Sequence, residues 1–107
     1  SIDVVGNRFL KWLDTVPSSK RCWVGHNIRH YDLPILYRCL HYDKRLQGRC
    51  FDTLEIANTV YPYGRSKKLT SLYKYICPNQ AFVAHRAMSD VKMNLAVAID
   101  ELQRLNS

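Results

Sequence analysis

The chain has 107 residues, 47% of them hydrophobic, which is ordinary for one globular domain and excludes a disordered polar tail. No apolar run approaches the roughly 20 residues that span a bilayer, and residues 1–13 show no signal-peptide cleavage site, so we expect no membrane partner. The net charge of +7 favours a polyanionic partner, although many small domains are basic for solubility alone.

Helices and strands alternate in the predicted chain. A helix begins at Asp3 and ends before Pro17, and a short strand follows at residues 21–25. A second helix begins near Asp32, with Pro34 in its first turn, where a missing N–H has little effect. The remaining predicted elements are a strand at 50–53, a helix at 54–60, a loop at 61–68, a helix at 69–76 and a helix at about 86–105.

The last predicted helix has apolar residues at intervals of three and four, the pattern of a helix that buries one face. These residues are Met88, Val91, Leu95, Ala98, Ile99, Leu102 and Leu105. We expect this face to be buried, with Asp90 on the same side.

The alternation of strands and helices is typical of an α/β fold with parallel strands. Two short strands are too few, because parallel sheets are buried on both faces and need several strands. The sequence therefore predicts one partial domain over residues 1–107, whose sheet is completed by strands upstream or from another chain. If the strands come from another chain, that chain is either a second copy, which gives a homodimer, or a different partner that completes the sheet.

The four cysteines are far apart and include no C-x-x-C pair. They are Cys22, Cys39, Cys50 and Cys77. We expect reduced core residues of an intracellular protein of the nucleus or cytoplasm, in preference to disulfides or a zinc site.

A first polar cluster follows the first predicted strand. Asp32 is expected near the carboxyl end of that strand, where α/β sheets bind ligands. The alternative is local structure: Asp32 caps the helix, Asn27 forms a turn and His26 makes a hydrogen bond within the loop.

A second polar cluster begins the last helix. His85 and Asp90 are five residues apart, about 140° around a helix, so they share a site when His85 precedes the helix. A carboxylate on the buried side is unfavourable unless it is paired, hydrogen-bonded or bound to a cation. The alternative is that Asp90 bonds to backbone or to an arginine.

The predicted loop at 61–68 combines aromatic and basic side chains. Tyr63 could stack on bases, and Arg65, Lys67 and Lys68 could track phosphates, which is the pattern of a nucleic-acid-binding segment. The alternative is a solvated loop whose tyrosines partly cover the core.

Four segments of the sequence resemble motifs of one enzyme family and occur in the same order as they do in that family. Residues 26–34, H-N-x-x-x-Y-D-L-P, are similar to the second motif of DnaQ-like exonucleases. Residues 85–90, H-R-A-M-S-D, resemble the third motif of that family's DEDDh branch. Residues 51–57 and 68–72 resemble its D-T-L-x-x-A and K-L-x-x-L segments, so the resemblance covers nearly the whole chain.

The resemblance implies a ribonuclease H-like exonuclease fold, a mixed sheet with helices on both faces. In the family, three strands precede the segment seen here, and the first carries an Asp-x-Glu pair. This sequence contains no Asp-x-Glu pair, so the fold is expected to be incomplete. Asp52 and Glu55 form a D-x-x-E, which the family places elsewhere.

The resemblance also implies a mechanism for removing nucleotides from 3′ ends of single-stranded DNA or RNA. The family holds two Mg²⁺ or Mn²⁺ ions with four carboxylates, two of which match Asp32 and Asp90. His85 matches the general base, and His26 and Asn27 match positions that support the site.

Two functional hypotheses remain open at this stage. One is a 3′→5′ exonuclease that releases nucleoside 5′-monophosphates and whose first motif lies upstream. The other is a catalytically inactive exonuclease-like module used for nucleic-acid binding or scaffolding. With two carboxylates in place of four, we expect little activity from these 107 residues alone, because attraction for the cations falls steeply.

Overall fold

The computed structural model describes residues 2–80 and 86–107. This part of the chain is a mixed α/β structure with five α-helices and a two-stranded parallel sheet. In chain order the elements are α1 (Ile2–Leu13), β1 (Cys22–Gly25), α2 (Leu33–Cys39), β2 (Arg49–Asp52), α3 (Thr53–Val60), α4 (Leu69–Ile76) and α5 (Ala87–Leu105). Short 3₁₀ turns at Ser18–Lys20 and Lys44–Leu46 and a π-helical turn at Ile28–Asp32 join them.

The two strands are parallel, as predicted; β1 begins one residue later than expected, and β2 begins and ends one residue earlier. In their register Trp23 pairs with Cys50 and Gly25 with Asp52. Both strands therefore end at the same edge, and the polar residues that follow them meet there.

Two apolar clusters form the core. The first unites α1 with the segments around the sheet through Leu10, Leu13, Leu40 and Leu46. The second joins α3, α4 and α5 through Ala57, Tyr61, Leu72 and Val97. In the first cluster α1 passes close to the end of α2 at Gly6. A Cβ at this position would lie 2.5 Å from Cδ2 of Leu40, so the close approach favours glycine.

The expected orientation of α5 is wrong for most of its apolar stripe. Ala98 is buried, but the other stripe residues are between 46% and 65% exposed; they are Met88, Val91, Leu95, Ile99, Leu102 and Leu105. α5 packs on α3 and α4 with a second stripe that includes Met93 and Val97. The helix is thus apolar on two sides. This pattern is typical of a helix that has other protein structure packed against both of those sides.

The sheet and the cysteines add two further observations. Within the described residues each strand has one partner, and Val24 on β1 is exposed. All four thiols are free, but Cys22 and Cys39 are exposed, so the expectation that every cysteine is a core residue is wrong. Burial raises the pKa of the Cys50 thiol.

None of the helices in residues 2–80 and 86–107 has the length and apolar character to cross a membrane.

Candidate active site

Asp52 organises the edge where both strands end. Its side chain is 2% exposed. Its carboxylate accepts backbone N–H groups from Asn27 at 2.8 Å, Arg29 at 3.1 Å and Leu54 at 3.0 Å. The last of these bonds caps α3, and the other two hold the turn after β1. Three charge-assisted hydrogen bonds offset the unfavourable burial of this carboxylate.

The turn after β1 has a fixed shape. Asn27 has the left-handed backbone angles φ 65° and ψ 28°, which asparagine tolerates better than most residues. Gly25 precedes it, and a Cβ there would lie 2.8 Å from Cβ of the buried Ile28. Asn27 is therefore a turn residue, as one of the two interpretations of the sequence allowed.

His26 is held at both ring nitrogens. Nε2 lies 2.6 Å from the carbonyl oxygen of Lys67, and Nδ1 lies 2.8 Å from Oγ1 of Thr53. A carbonyl oxygen only accepts, so Nε2 carries the proton and Nδ1 accepts the hydroxyl of Thr53. Oγ1 of Thr53 accepts in turn from Nδ2 of Asn94, at 2.9 Å. The imidazole is thus occupied in joining β1, α3, α5 and the loop that contains Lys67.

Asp32 is exposed at the end of the π-helical turn, directly before α2. Its backbone is already helical, with φ −68° and ψ −44°, and its side chain makes no capping hydrogen bond. Its carboxylate has no hydrogen-bond or ion-pair partner among residues 2–80 and 86–107. It borders an apolar groove of about 330 Å³ between α1 and α2, lined also by Phe9 and Ile35. The capping role is therefore not the one this side chain has, and its oxygens are accessible to a cation.

Asp90 lies in the first turn of α5 and is half-buried. It precedes Asn94 by one turn, so the two share the side of the helix that meets the strand ends at Thr53. Its carboxylate also has no hydrogen bond or ion pair within the described part of the chain. Neither the backbone partner nor the arginine that the sequence allowed is present there. His85, the third residue of this predicted set, lies outside the described residues.

Glu55, in the first turn of α3, is engaged in ion pairs. Oε1 of Glu55 accepts from Nε of Arg29 at 3.0 Å and lies 3.5 Å from Nε2 of His30. These exposed pairs tie the π-helical turn to the first turn of α3. Asp32 and Asp90 therefore differ from Asp52 and Glu55 in having unpaired carboxylates.

The oxygen donors suit a hard divalent cation in type but not in number. Asp32 and Asp90 each offer carboxylate oxygens, the ligands that Mg²⁺ and Mn²⁺ prefer. The described contacts do not join these two side chains to each other. Across residues 2–80 and 86–107, three or more His, Cys, Asp or Glu side chains do not meet in a group that could hold a metal ion.

The loop between α3 and α4 holds the four residues predicted to bind nucleic acid. Lys67 is half-buried, and its Nζ donates to the carbonyl oxygens of Pro62 at 2.9 Å and Arg65 at 2.8 Å. Its ammonium therefore braces the loop. Tyr63, Arg65 and Lys68 are exposed and available to a ligand.

Two features of this region were not found from the sequence. Tyr75 carries the guanidinium of Arg65 on its ring, 3.8 Å from the centroid. Glu101 is fully buried, with no hydrogen-bond partner for either carboxylate oxygen among the described residues. Its burial, with the charges of Asp100 and Asp52, raises the pKa of Glu101 to about 8. The position of Glu101 could have been inferred from helical spacing. Asp90, Asn94, Val97 and Glu101 follow one another at intervals of four and three residues and therefore share one side of the helix.

The chain has no significant match to any family model, curated protein or solved structure.

Proposed function

We propose that the chain is part of a metal-dependent 3′→5′ exonuclease domain of ribonuclease H-like fold. It would hydrolyse phosphodiester bonds of DNA or RNA and release nucleoside 5′-monophosphates. One observation carries the proposal: Asp32 and Asp90 have carboxylates that are unpaired within the described residues and not fully buried, whereas Asp52 and Glu55 are engaged and the unpaired Glu101 is fully buried. Unpaired carboxylates next to a braced polar network are what a cation site requires.

The roles follow from the side chains and from the family resemblance. Asp32 and Asp90 would hold Mg²⁺ or Mn²⁺ through their carboxylate oxygens. Bound divalent ions would stabilise charge on the attacking and leaving oxygens of the phosphodiester. His85 would accept the proton of the attacking water, which suits a histidine because that side chain titrates near neutrality. His26 and Asn27 would support the site by fixing the turn that leads to Asp32.

Further carboxylates are needed to complete the site. Two observations support the proposal that additional strands complete the sheet and carry these acids: the apolar stripe of α5 is exposed, and each strand has one partner within residues 2–80 and 86–107. They would come from the same protein or from a second copy. Static light scattering separates these sources: a dimer supports the second copy, and a monomer at working concentration contradicts it.

A second candidate function has an observation in its favour. The sequence contains no Asp-x-Glu pair, so this chain supplies two of the four carboxylates that the family uses. An inactive exonuclease-like module that binds nucleic acid or serves as a scaffold would retain the fold without cleavage.

Cleavage is tested with single-stranded DNA and RNA labelled at the 5′ end, in Mg²⁺ or Mn²⁺. Residues 1–107 alone should give little cleavage, so the assay is repeated with the chain extended upstream by the strands expected to carry the missing carboxylates. With the extended chain we expect a ladder that shortens from the 3′ end and is lost in Asp32→Asn, Asp90→Asn and His85→Ala. Asp3→Asn, an exposed acid on α1, is the matched control and should leave the ladder intact. Binding of Mn²⁺ is followed in parallel by electron paramagnetic resonance. Cleavage that persists in all three variants overturns the proposal. The proposal also fails if there is no cleavage and no Mn²⁺ binding that depends on Asp32 and Asp90. Mn²⁺ binding without cleavage favours the inactive module.

A further inference from the structure

Tyr75 on α4 brings together two guanidinium groups from distant parts of the sequence. Cζ of Arg65, in the loop after α3, lies 3.8 Å from the ring centroid, and Cζ of Arg104, in the last turn of α5, lies 5.6 Å from it. The two Cζ atoms are therefore at most about 9.4 Å apart. The fold, and not the local sequence, creates this pair.

Both guanidinium groups keep hydrogen-bond donors available. That of Arg65 has no acceptor within residues 2–80 and 86–107. Arg104 donates through Nε to Oδ2 of Asp100 at 2.7 Å, which leaves its two terminal nitrogens without an acceptor there. Asp100 offsets one of the two positive charges and also accepts the hydroxyl of Tyr61 at 2.8 Å. A net positive charge remains, with donors on two separate arginines.

The pair is held in place before any ligand arrives. Stacking on Tyr75 restricts the plane of the Arg65 guanidinium, and the ion pair with Asp100 orients Arg104. An arginine with a fixed plane loses less side-chain freedom when it binds a phosphate, and its fork of N–H groups matches two phosphate oxygens.

The turn next to this pair presents an aromatic ring. The N–H of Arg65 donates to the carbonyl oxygen of Pro62 at 3.2 Å, and Gly64 has φ 86°, which closes a tight turn around Tyr63. Lys67 braces the turn from inside. The side chain of Tyr63 is fully exposed at its tip.

We propose that Arg65 and Arg104 bind backbone phosphate of a single-stranded nucleic acid, and that Tyr63 stacks on an unpaired base of the same strand. The class of ligand rests on the proposed function. Cations beside an exposed aromatic ring suit a polynucleotide, which offers both phosphates and bases. The loop that contains Arg65 is bonded to the candidate site through the carbonyl oxygen of Lys67 and Nε2 of His26.

Binding is measured by fluorescence anisotropy with a labelled oligothymidylate of about 12 nucleotides, in EDTA, over a series of NaCl concentrations. Arg65→Gln should weaken binding about fivefold to tenfold and reduce the slope of log K against log salt by about 0.7. Arg104→Lys keeps the charge beside Asp100 but removes the planar fork, so it should weaken binding while unfolding is unchanged. Tyr63→Leu should weaken binding about tenfold and leave the salt slope unchanged.

A control decides whether the effect is local. Arg49→Gln removes the same charge at the start of β2, away from the edge where the strands end, and should change affinity little. Absence of binding, equal losses in Arg49→Gln and Arg65→Gln, or equally effective competition by polyglutamate overturns the inference. Because binding is measured in EDTA, it does not depend on metal. Intact binding together with no cleavage by the upstream-extended chain in Mg²⁺ or Mn²⁺ contradicts the exonuclease alone, and cleavage without this binding contradicts the phosphate pair alone.

Discussion

Oγ1 of Thr53 lies 2.8 Å from Nδ1 of His26, and this contact joins the ends of the two strands. Thr53 is fully buried and also accepts from Nδ2 of Asn94 on α5. A single hydroxyl thus donates to one partner and accepts from another. Asp90 lies one turn before Asn94 on α5, so the position of this predicted metal ligand depends on a residue that does no chemistry itself.

We expect Thr53→Val to reduce the free energy of unfolding by about 1–3 kcal/mol. The change keeps the branched shape but leaves Nδ1 of His26 and Nδ2 of Asn94 without partners. Urea unfolding followed by circular dichroism measures the effect. Thr53→Ser keeps the hydroxyl and should lose less stability than Thr53→Val. Equal losses in the two variants would show that the methyl group, and not the hydrogen bonds, stabilises this position.

Asp52→Asn should reduce the free energy of unfolding by about 1.5–3 kcal/mol. The amide replaces a charged acceptor of three backbone N–H groups and has one oxygen in place of two. Glu55→Gln is the matched control on the same helix. It breaks an exposed pair with Arg29 and should cost less than about 1 kcal/mol. A loss in Glu55→Gln as large as that in Asp52→Asn would contradict this ranking.

The strand ends were predictable from the sequence because local rules place them. Two short apolar segments followed by polar residues indicated parallel strands that end together, and Pro34 marked the first turn of α2. Asn27 was recognised as a possible turn residue for the same reason. These features depend on neighbours within a few residues.

The orientation of α5 was not predictable in the same way. Its sequence has an apolar stripe through Val91 and Leu95 and a second one through Met93 and Val97, so periodicity alone does not select the buried side. Contacts with Ala57 and Leu72 on other helices make that selection. The roles of Lys67 and Tyr75 depend on equally distant partners, so charge and residue type did not reveal them.

Asp32→Asn should change the free energy of unfolding by less than about 0.5 kcal/mol. The carboxylate is exposed and unpaired within the described residues, so folding gains nothing from its charge. Urea unfolding in EDTA isolates this quantity from any bound cation. In the upstream-extended chain the same variant is expected to abolish cleavage, so a loss of activity without a loss of stability would separate a ligand from a structural residue. A loss of more than 1 kcal/mol would assign Asp32 a structural role.

Glu101 should make the folded chain less stable as pH rises. Burial, followed by the charges of Asp100 and Asp52, raises the pKa of Glu101 from 4.5 to about 8, so the folded chain retains a proton that the unfolded chain releases between these values. The free energy of unfolding then falls with rising pH, by up to about 1.4 kcal/mol per pH unit, and the fall ends above about pH 8. Below pH 4.5 both states hold the proton and the contribution is fully present.

Glu101→Gln removes this titration and should flatten the dependence of unfolding free energy on pH between 4.5 and 8. The difference between the variant and the parent chain should therefore grow in favour of the variant as pH rises through this window. Asp52→Asn removes a neighbouring negative charge, lowers the pKa of Glu101 and should end the fall at a lower pH. Urea unfolding at half-unit pH intervals measures all three curves. Parallel curves for Glu101→Gln and the parent chain would show that Glu101 titrates alike in the folded and unfolded states.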